Sequence, residues 1–381
     1  MDNKQKHILK IVGVNICRFL VAATFLFSGF VKAVDPLGSF YKMQDYLTSF
    51  GMSGWFSSLP VIIGAVLLSA FEFTIGIYML FGIRRRFTTT ATLVFMGVMT
   101  PFTLFLAITN PVHDCGCFGD ALVLTNWETF FKNVVLLAAA AVLYRYGKLL
   151  TRYVSAKTAW LASTYTILFI LLLSSYCLYA LPILDFRPYK IGTDLKAAVD
   201  SMKPDYQDFY LTDLRQGDDV TTDVLTASGY TFLLIGHHIE EADDGNIDLI
   251  NEIYDYSVEH GYGFYALTAS SPEQIELWRD RTGAEYPFCS ADDIMLKTLI
   301  RSNPGLVLLK GGIILNKWSD NRLPDEYVLT DRLDKLPIGQ LKTGNDWYTI
   351  GYVLLWLIIP FLLVIGIDRL LIPLINKTKQ K

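Results

Sequence analysis

Six apolar stretches, near 11–34, 60–83, 88–109, 128–146, 158–181 and 347–367, recur along the chain. Each is long enough to cross about 30 Å of hydrocarbon, which takes roughly 20 helical residues. Between the first two, Phe40, Met43, Leu47 and Phe50 return at helical spacing. This pattern predicts a short amphipathic helix lying on the membrane surface within 35–59. Pro60 suits the first turn of the second span, Pro101 is expected to kink the third, and Thr125 with Glu128 forms a capping-box pattern that opens the fourth. Past residue 185 the period changes. A short apolar run at 230–236 ends in Gly, and an amphipathic helix near 243–260 and a strand at 262–270 follow. A helix opened by Ser271-Pro272-Glu273 and another near 291–301 precede two strands, 305–309 and 313–318, joined by Gly311-Gly312. Strands alternating with helices and closing in a hairpin predict an α/β domain with a mixed sheet. No internal repeat or low-complexity segment interrupts the pattern.

The chain therefore divides into a four-span bundle (1–150), a fifth span with its linker (151–184), a polar domain (185–345) and a sixth span with a basic tail (346–381). Composition agrees, since 52% apolar against 18% charged residues is too apolar for a soluble chain of 381 residues. Lys and Arg set the orientation. Lys4, Lys6 and Lys10, then Arg84, Arg85 and Arg86, then Arg145, Lys148, Arg152 and Lys157, and finally Arg369, Lys377, Lys379 and Lys381 all fall at ends that share one side. The positive-inside rule makes that side cytoplasmic. The 35–59 segment, the loop near 110–127 and the polar domain then face outward, as expected for a bacterial inner-membrane protein with a periplasmic domain. The first apolar stretch lacks a small-residue cleavage site and is expected to remain as an anchor. Residues 185–345 hold 15 Lys and Arg against 28 Asp and Glu, a net charge of −13. Such a domain is no partner for nucleic acid, which leaves the lipid bilayer and an extracytoplasmic client or thiol protein.

Chemistry concentrates in the loop before the fourth span. Cys115-Gly116-Cys117 places two thiols one residue apart on an oxidising face, where disulfides form and persist. Gly116 eases the tight ring, and His113, the glycine-rich backbone and the helix start near 126 could each lower a thiol pKa. Thiol–disulfide exchange, a permanent loop staple, and a metal site drawn from His113, Asp114, Cys115, Cys117 and Asp120 are the three readings, although the spacing matches no standard zinc pattern. Cys177, near the outer end of the fifth span, and Cys289 are candidate resolving thiols. For each, the reading as a small apolar residue in a helix or core is favoured over that role. Cys17 lies toward the cytoplasmic side of its span. Glu72 falls near the middle of the second span, where a charged group calls for a partner. Arg18 is its expected partner, since their counted depths differ by about four residues, or roughly 6 Å. The pair reads either as a structural ion pair or as part of a proton or quinone site. Lys32 is expected to reach the headgroups.

The residues RFLVAATFLFSGFVKAVDP (18–36), Glu72 and DCGCFGD (114–120) resemble the DoxX and MauE families of four-span membrane proteins. The stretch 205–335 resembles the thioredoxin-like fold in its TlpA and peroxiredoxin-type variant. DFYLTDLRQGDDVTT (208–222), the strand at 230–236 and NPGLVLLKGGIILNKW (303–318) carry that resemblance. It implies a cis bond before Pro304. Where redox-active relatives place Cys-x-x-Cys, this chain has His237-His238-Ile239-Glu240-Glu241, so the domain is expected to dock or sense rather than exchange electrons. The histidines with the following acidic residues could bind a metal, but acids at a helix start are ordinary dipole partners. The MauE resemblance implies methylamine utilisation beside MauD, a thioredoxin-like protein implicated in disulfide handling. The expected function is a membrane-embedded thiol–disulfide redox component in which Cys115 and Cys117 exchange electrons with a lipid quinone or a separate thiol protein. The alternative is a non-enzymatic scaffold or assembly factor.

Overall fold

A computed structural model describes residues 3–112, 114–341, 344 and 346–371. The chain forms two units, one of Met1–Leu178 with Asp346–Lys381 and one of Tyr179–Asn345.

The first unit is helical. It contains α1 (Asn3–Val34), α2 (Pro36–Ser49), α3 (Ser58–Phe81), α4 (Arg85–Thr109), α5 (Asn126–Tyr146), α6 (Ala159–Tyr179) and a closing helix, Asp346–Gly366. Among the described residues, all of these except α2 are long and apolar enough to cross a membrane. Local chemistry sets their ends. The Asp35 side chain accepts from Gly38 N at 2.9 Å and starts α2. Thr125 and Glu128 form the capping box that starts α5, and Gly82, at φ 68°, ends α3. Helix α4 continues through Pro101.

Two glycines set the packing of α1 on α3. A Cβ at Gly76 would lie 2.7 Å from Leu26 Cγ, and one at Gly29 would collide with the backbone of Phe73. The two backbones therefore touch, as small residues allow in membrane bundles. Val21, Phe25, Ile75, Met79, Met96 and Leu136 fill the space between α1, α3, α4 and α5. Exposed apolar residues such as Val98, Phe131 and Leu172 face outward, where hydrocarbon takes the place of a core. Some buried hydroxyls are satisfied locally, Thr92 and Thr100 each donating to the carbonyl four residues back.

The second unit is built from α7 (Leu195–Asp200), β1 (Thr212–Asp213), α8 (Thr221–Thr226), β2 (Tyr230–Ile235), α9 (Ile247–His260), β3 (Gly263–Thr268), α10 (Pro272–Thr282), β4 (Phe288–Ser290), α11 (Asp293–Leu299), β5 (Gly305–Lys310) and β6 (Ile313–Ser319). The sheet order is β1-β4-β3-β2-β5-β6. Strands β2, β3 and β4 run parallel, with Phe232 opposite Phe264, while β5 and β6 are antiparallel. Every residue of β2 is buried, because side chains of alternating parity feed one apolar cluster on each face of the sheet. The Asn303-Pro304 bond is cis, as the resemblance implied. Parallel central strands, an antiparallel hairpin and a cis-proline entering it make this a thioredoxin-like domain.

Candidate functional site

The α4–α5 loop is held by a lattice of hydrogen bonds that leaves its sulfurs facing a cavity. Asp114 forms an antiparallel bridge with Thr125, and its Oδ2 accepts from Gly116 N at 2.9 Å. Gly116 stands at φ +64°, a conformation that disfavours any side chain. Helix α2 covers the loop. Lys42 Nζ reaches Asp114 Oδ1 at 2.7 Å, Tyr46 OH donates to the Cys115 carbonyl at 2.7 Å, and Ser49 Oγ donates to the Pro111 carbonyl at 3.3 Å. From α1, Ser28 Oγ reaches the Cys117 carbonyl at 2.6 Å. Both cysteine carbonyls are thus pinned by side chains from outside the loop. The unbridged Sγ atoms lie 2.8 Å apart.

The cavity under the thiols has a volume of about 240 Å³. Its walls are mostly apolar, with Phe25, Phe95, Met96, Met99 and Phe102, and its polar groups include Lys32, Glu72, Lys132 and Tyr46. Lys32 Nζ lies 2.8 Å from each carboxylate oxygen of Glu72 and donates to Ser28 Oγ at 3.1 Å. Ser28 Oγ is also 2.8 Å from Glu72 Oε2. Its single proton therefore serves either the carboxylate or the Cys117 carbonyl at any moment. Lys132 Nζ sits 4.2 Å from the centroid of Phe118.

The two thiols are electrostatically unequal. The hydrogen bond between the two thiols, aided by the charges of Lys132 and Lys32, lowers the Cys117 thiol against the opposing effect of burial. The same hydrogen bond, with burial, pushes the Cys115 thiol well above the ordinary range. The Tyr46 phenol is also raised, by burial and by the neighbouring Cys115. A proton shared between the two sulfurs lets the pair hold one thiolate, an arrangement suited to exchange chemistry.

Two sequence expectations are corrected. Glu72 pairs with Lys32, and Arg18 instead caps the end of α3, with Nε and Nη2 donating to the carbonyls of Met79 and Leu80 at 2.9 and 2.5 Å. Lys32, only 7% exposed, is turned into the bundle and does not reach headgroups. Counting depth inward from each span's end fails because the ends are not level. The Gly29 and Gly76 contacts bring the last turns of α1 beside the middle of α3.

His113 lies outside the described residues. Asp114 clasps the loop, and Asp120 sits exposed on a turn at Gly119–Ala121. Cys177 is buried in α6 and does not line the cavity, and Cys17 packs against the bundle core. Cys289 is buried in β4, and burial pushes its thiol up to about 12. Where a Cys-x-x-Cys would stand, His237 is buried with Nε2 3.0 Å from the Ile300 carbonyl. His238 lies 3.5 Å from Glu240 and 3.3 Å from Asp293, and Asn303 donates to the His238 carbonyl at 3.0 Å. Sequence reasoning missed Ser28, Lys42, Tyr46 and Lys132. Lys42 left a signal, being the one basic residue in 35–59 and one turn before Tyr46. Ser28 left none, since a serine in a span ordinarily bonds its own helix.

Residues 10–145 match the family model described as methylamine utilisation protein MauE. No curated protein matches the chain. Among solved structures, an uncharacterised conserved protein from Geobacillus kaustophilus is 15% identical, with a TM-score of 0.30, over 41% of this chain and 87% of that one. A putative protein disulfide isomerase from Bacteroides thetaiotaomicron is 18% identical, with a TM-score of 0.27, over 37% and 90%. The thioredoxin domain of a thiol-disulfide oxidoreductase from Bacteroides vulgatus is 14% identical, with a TM-score of 0.23, over 28% and 81%. This chain is therefore a membrane protein whose residues 10–145 match the MauE family and whose later residues fold as a thioredoxin-like domain.

Proposed function

We propose that this protein is a thiol–disulfide redox component of a bacterial cytoplasmic membrane, with Cys115 and Cys117 alternating between dithiol and disulfide at the extracytoplasmic face. The observation that carries this reading is the 2.8 Å approach of the two Sγ atoms in a loop whose carbonyls are held by Tyr46 and Ser28. Bonding distance is about 2.05 Å. Closure therefore needs only a small side-chain movement. In the oxidised form a client thiolate attacks Cys115 Sγ and expels Cys117 as thiolate, which the nearby charges of Lys132 and Lys32 favour. A second client thiolate then attacks the mixed disulfide and releases Cys115. The client leaves with one disulfide, and the loop is left as a dithiol.

The Lys and Arg distribution supports cytoplasmic termini and an extracytoplasmic thiol loop. Residues 185–345 serve as a client-docking module. That role is supported by the histidine cluster standing where a redox pair would be.

Maleimide gel-shift assays on intact cells test the reading. Cys115 and Cys117 should appear both bridged and reduced, in proportions that follow the oxidant or reductant supplied, and the Cys115→Ser/Cys117→Ser variant should lose function. A bridge that never opens, with that variant behaving as wild type, would leave the loop as a staple and favour the scaffold reading.

A further inference from the structure

The thiol cavity has an apolar neighbour. A groove of about 480 Å³ lies along α3 and α4, lined by Phe71, Phe87, Thr90, Ala91, Val94, Phe95 and Val98. Phe87, Val94 and Val98 are 57%, 60% and 64% exposed on a membrane helix, so the groove opens to lipid. Phe95 lines both spaces. Its ring lies 5.3 Å from that of Phe71 in the groove and 5.6 Å from that of Phe25 in the cavity. A water-soluble acceptor has no reason to use an apolar route, whereas a molecule with a compact polar head and a hydrocarbon tail fits both spaces. The cavity also supplies donors for a head carrying carbonyl oxygens. Lys132 lines it, and among the described residues no carboxylate pairs with that ammonium, whereas Lys32 is engaged by Glu72 and Ser28.

We infer that the electron acceptor is a lipid-soluble quinone, its ring in the cavity beneath Cys115 and Cys117 and its tail passing Phe95 into the groove. This inference rests on the thiol–disulfide reading above and names the oxidant for the same site. The step balances. Two S–H bonds break and one S–S bond forms, the two electrons reduce the quinone, and the two protons end on its oxygens to give a quinol. The quinol leaves through the groove to the bilayer.

The test uses the full chain in nanodiscs, reduced and freed of reductant, with decylubiquinone and tail-less ubiquinone-0 as probes. Quinone absorbance and free thiols are followed together. One quinone should be consumed per protein as both thiols disappear. Ala91→Trp, which fills the groove, should raise the ratio of the half-saturating concentrations of decylubiquinone and ubiquinone-0 for this single turnover at least tenfold. Val94→Trp does the same from a lipid-exposed position that perturbs folding less. If glutathione disulfide oxidises the pair but neither quinone does, the acceptor is wrong and the thiol–disulfide reading stands. If none of the three oxidises the pair, both fall. An unchanged ratio in a folded tryptophan variant would overturn the tail route.

Discussion

Ser28 is hydrogen-bonded to the backbone carbonyl of Cys117 across 2.6 Å, joining the first membrane helix to the thiol loop. The same hydroxyl touches both members of the Lys32–Glu72 ion pair. One side chain thus links the buried charges to the sulfur-bearing backbone. Ser28→Ala should leave the Cys117 carbonyl without this partner, at a cost of about 1–3 kcal/mol. Hydrogen exchange over 114–120 should quicken, and unchanged protection would show that the link contributes nothing.

Lys32 and Glu72 are only 7% and 5% exposed, so each neutralises a charge that would otherwise stand alone in the bundle. Lys32→Met or Glu72→Gln should each destabilise the protein by about 3–5 kcal/mol. The double variant should recover much of that loss, because no uncompensated charge remains. Thermal unfolding in detergent of all four proteins gives the coupling, and additive losses would refute it.

Alkylation of Cys117 by iodoacetamide should follow a titration whose midpoint lies below that of an ordinary thiol, since only the thiolate reacts. Below the midpoint the thiol is protonated and the rate falls. Lys132→Met removes a favourable charge, so the midpoint should move upward. A midpoint near the ordinary thiol value of about 8.5 in the native protein would contradict the assigned electrostatics.

Gly116→Ala is strained twice, by φ +64° and by a Cβ that would lie 2.7 Å from Lys42 Cγ. The left-handed conformation costs a non-glycine residue about 1–2 kcal/mol. The loop should reorganise, and disulfide closure by glutathione disulfide should slow. Adding Lys42→Ala removes the collision but not the backbone strain, so recovery should be partial.

Burial lowers His237 to about 4, so the native domain keeps it neutral while the unfolded chain protonates it below about 6.5. Stability should therefore fall as pH drops from 6.5 to 4, by about 3 kcal/mol for this group in full. Hydrogen exchange of β2 in the intact protein should show the loss. His237→Leu should flatten it, and an equally steep profile in that variant would assign the effect elsewhere.

The sequence by itself determined the six spans, the helix within 35–59, the capping box at Thr125 and Glu128, the mixed sheet and the order that puts the thiol loop before the fourth span. Each of these is written in short-range periodicity, turn chemistry or the order of elements, which neighbouring residues specify without knowledge of distant ones. Tertiary structure decided the rest. Glu72 faces Lys32 because Gly29 and Gly76 set the offset between α1 and α3, a quantity that no count from a span's end contains. Helix α2 was legible as amphipathic, but only packing revealed that its polar side, through Lys42 and Tyr46, clasps the cysteine loop. The placement of Phe95 between groove and cavity belongs to the same class, because a void is the space left between helices and appears in none of their sequences.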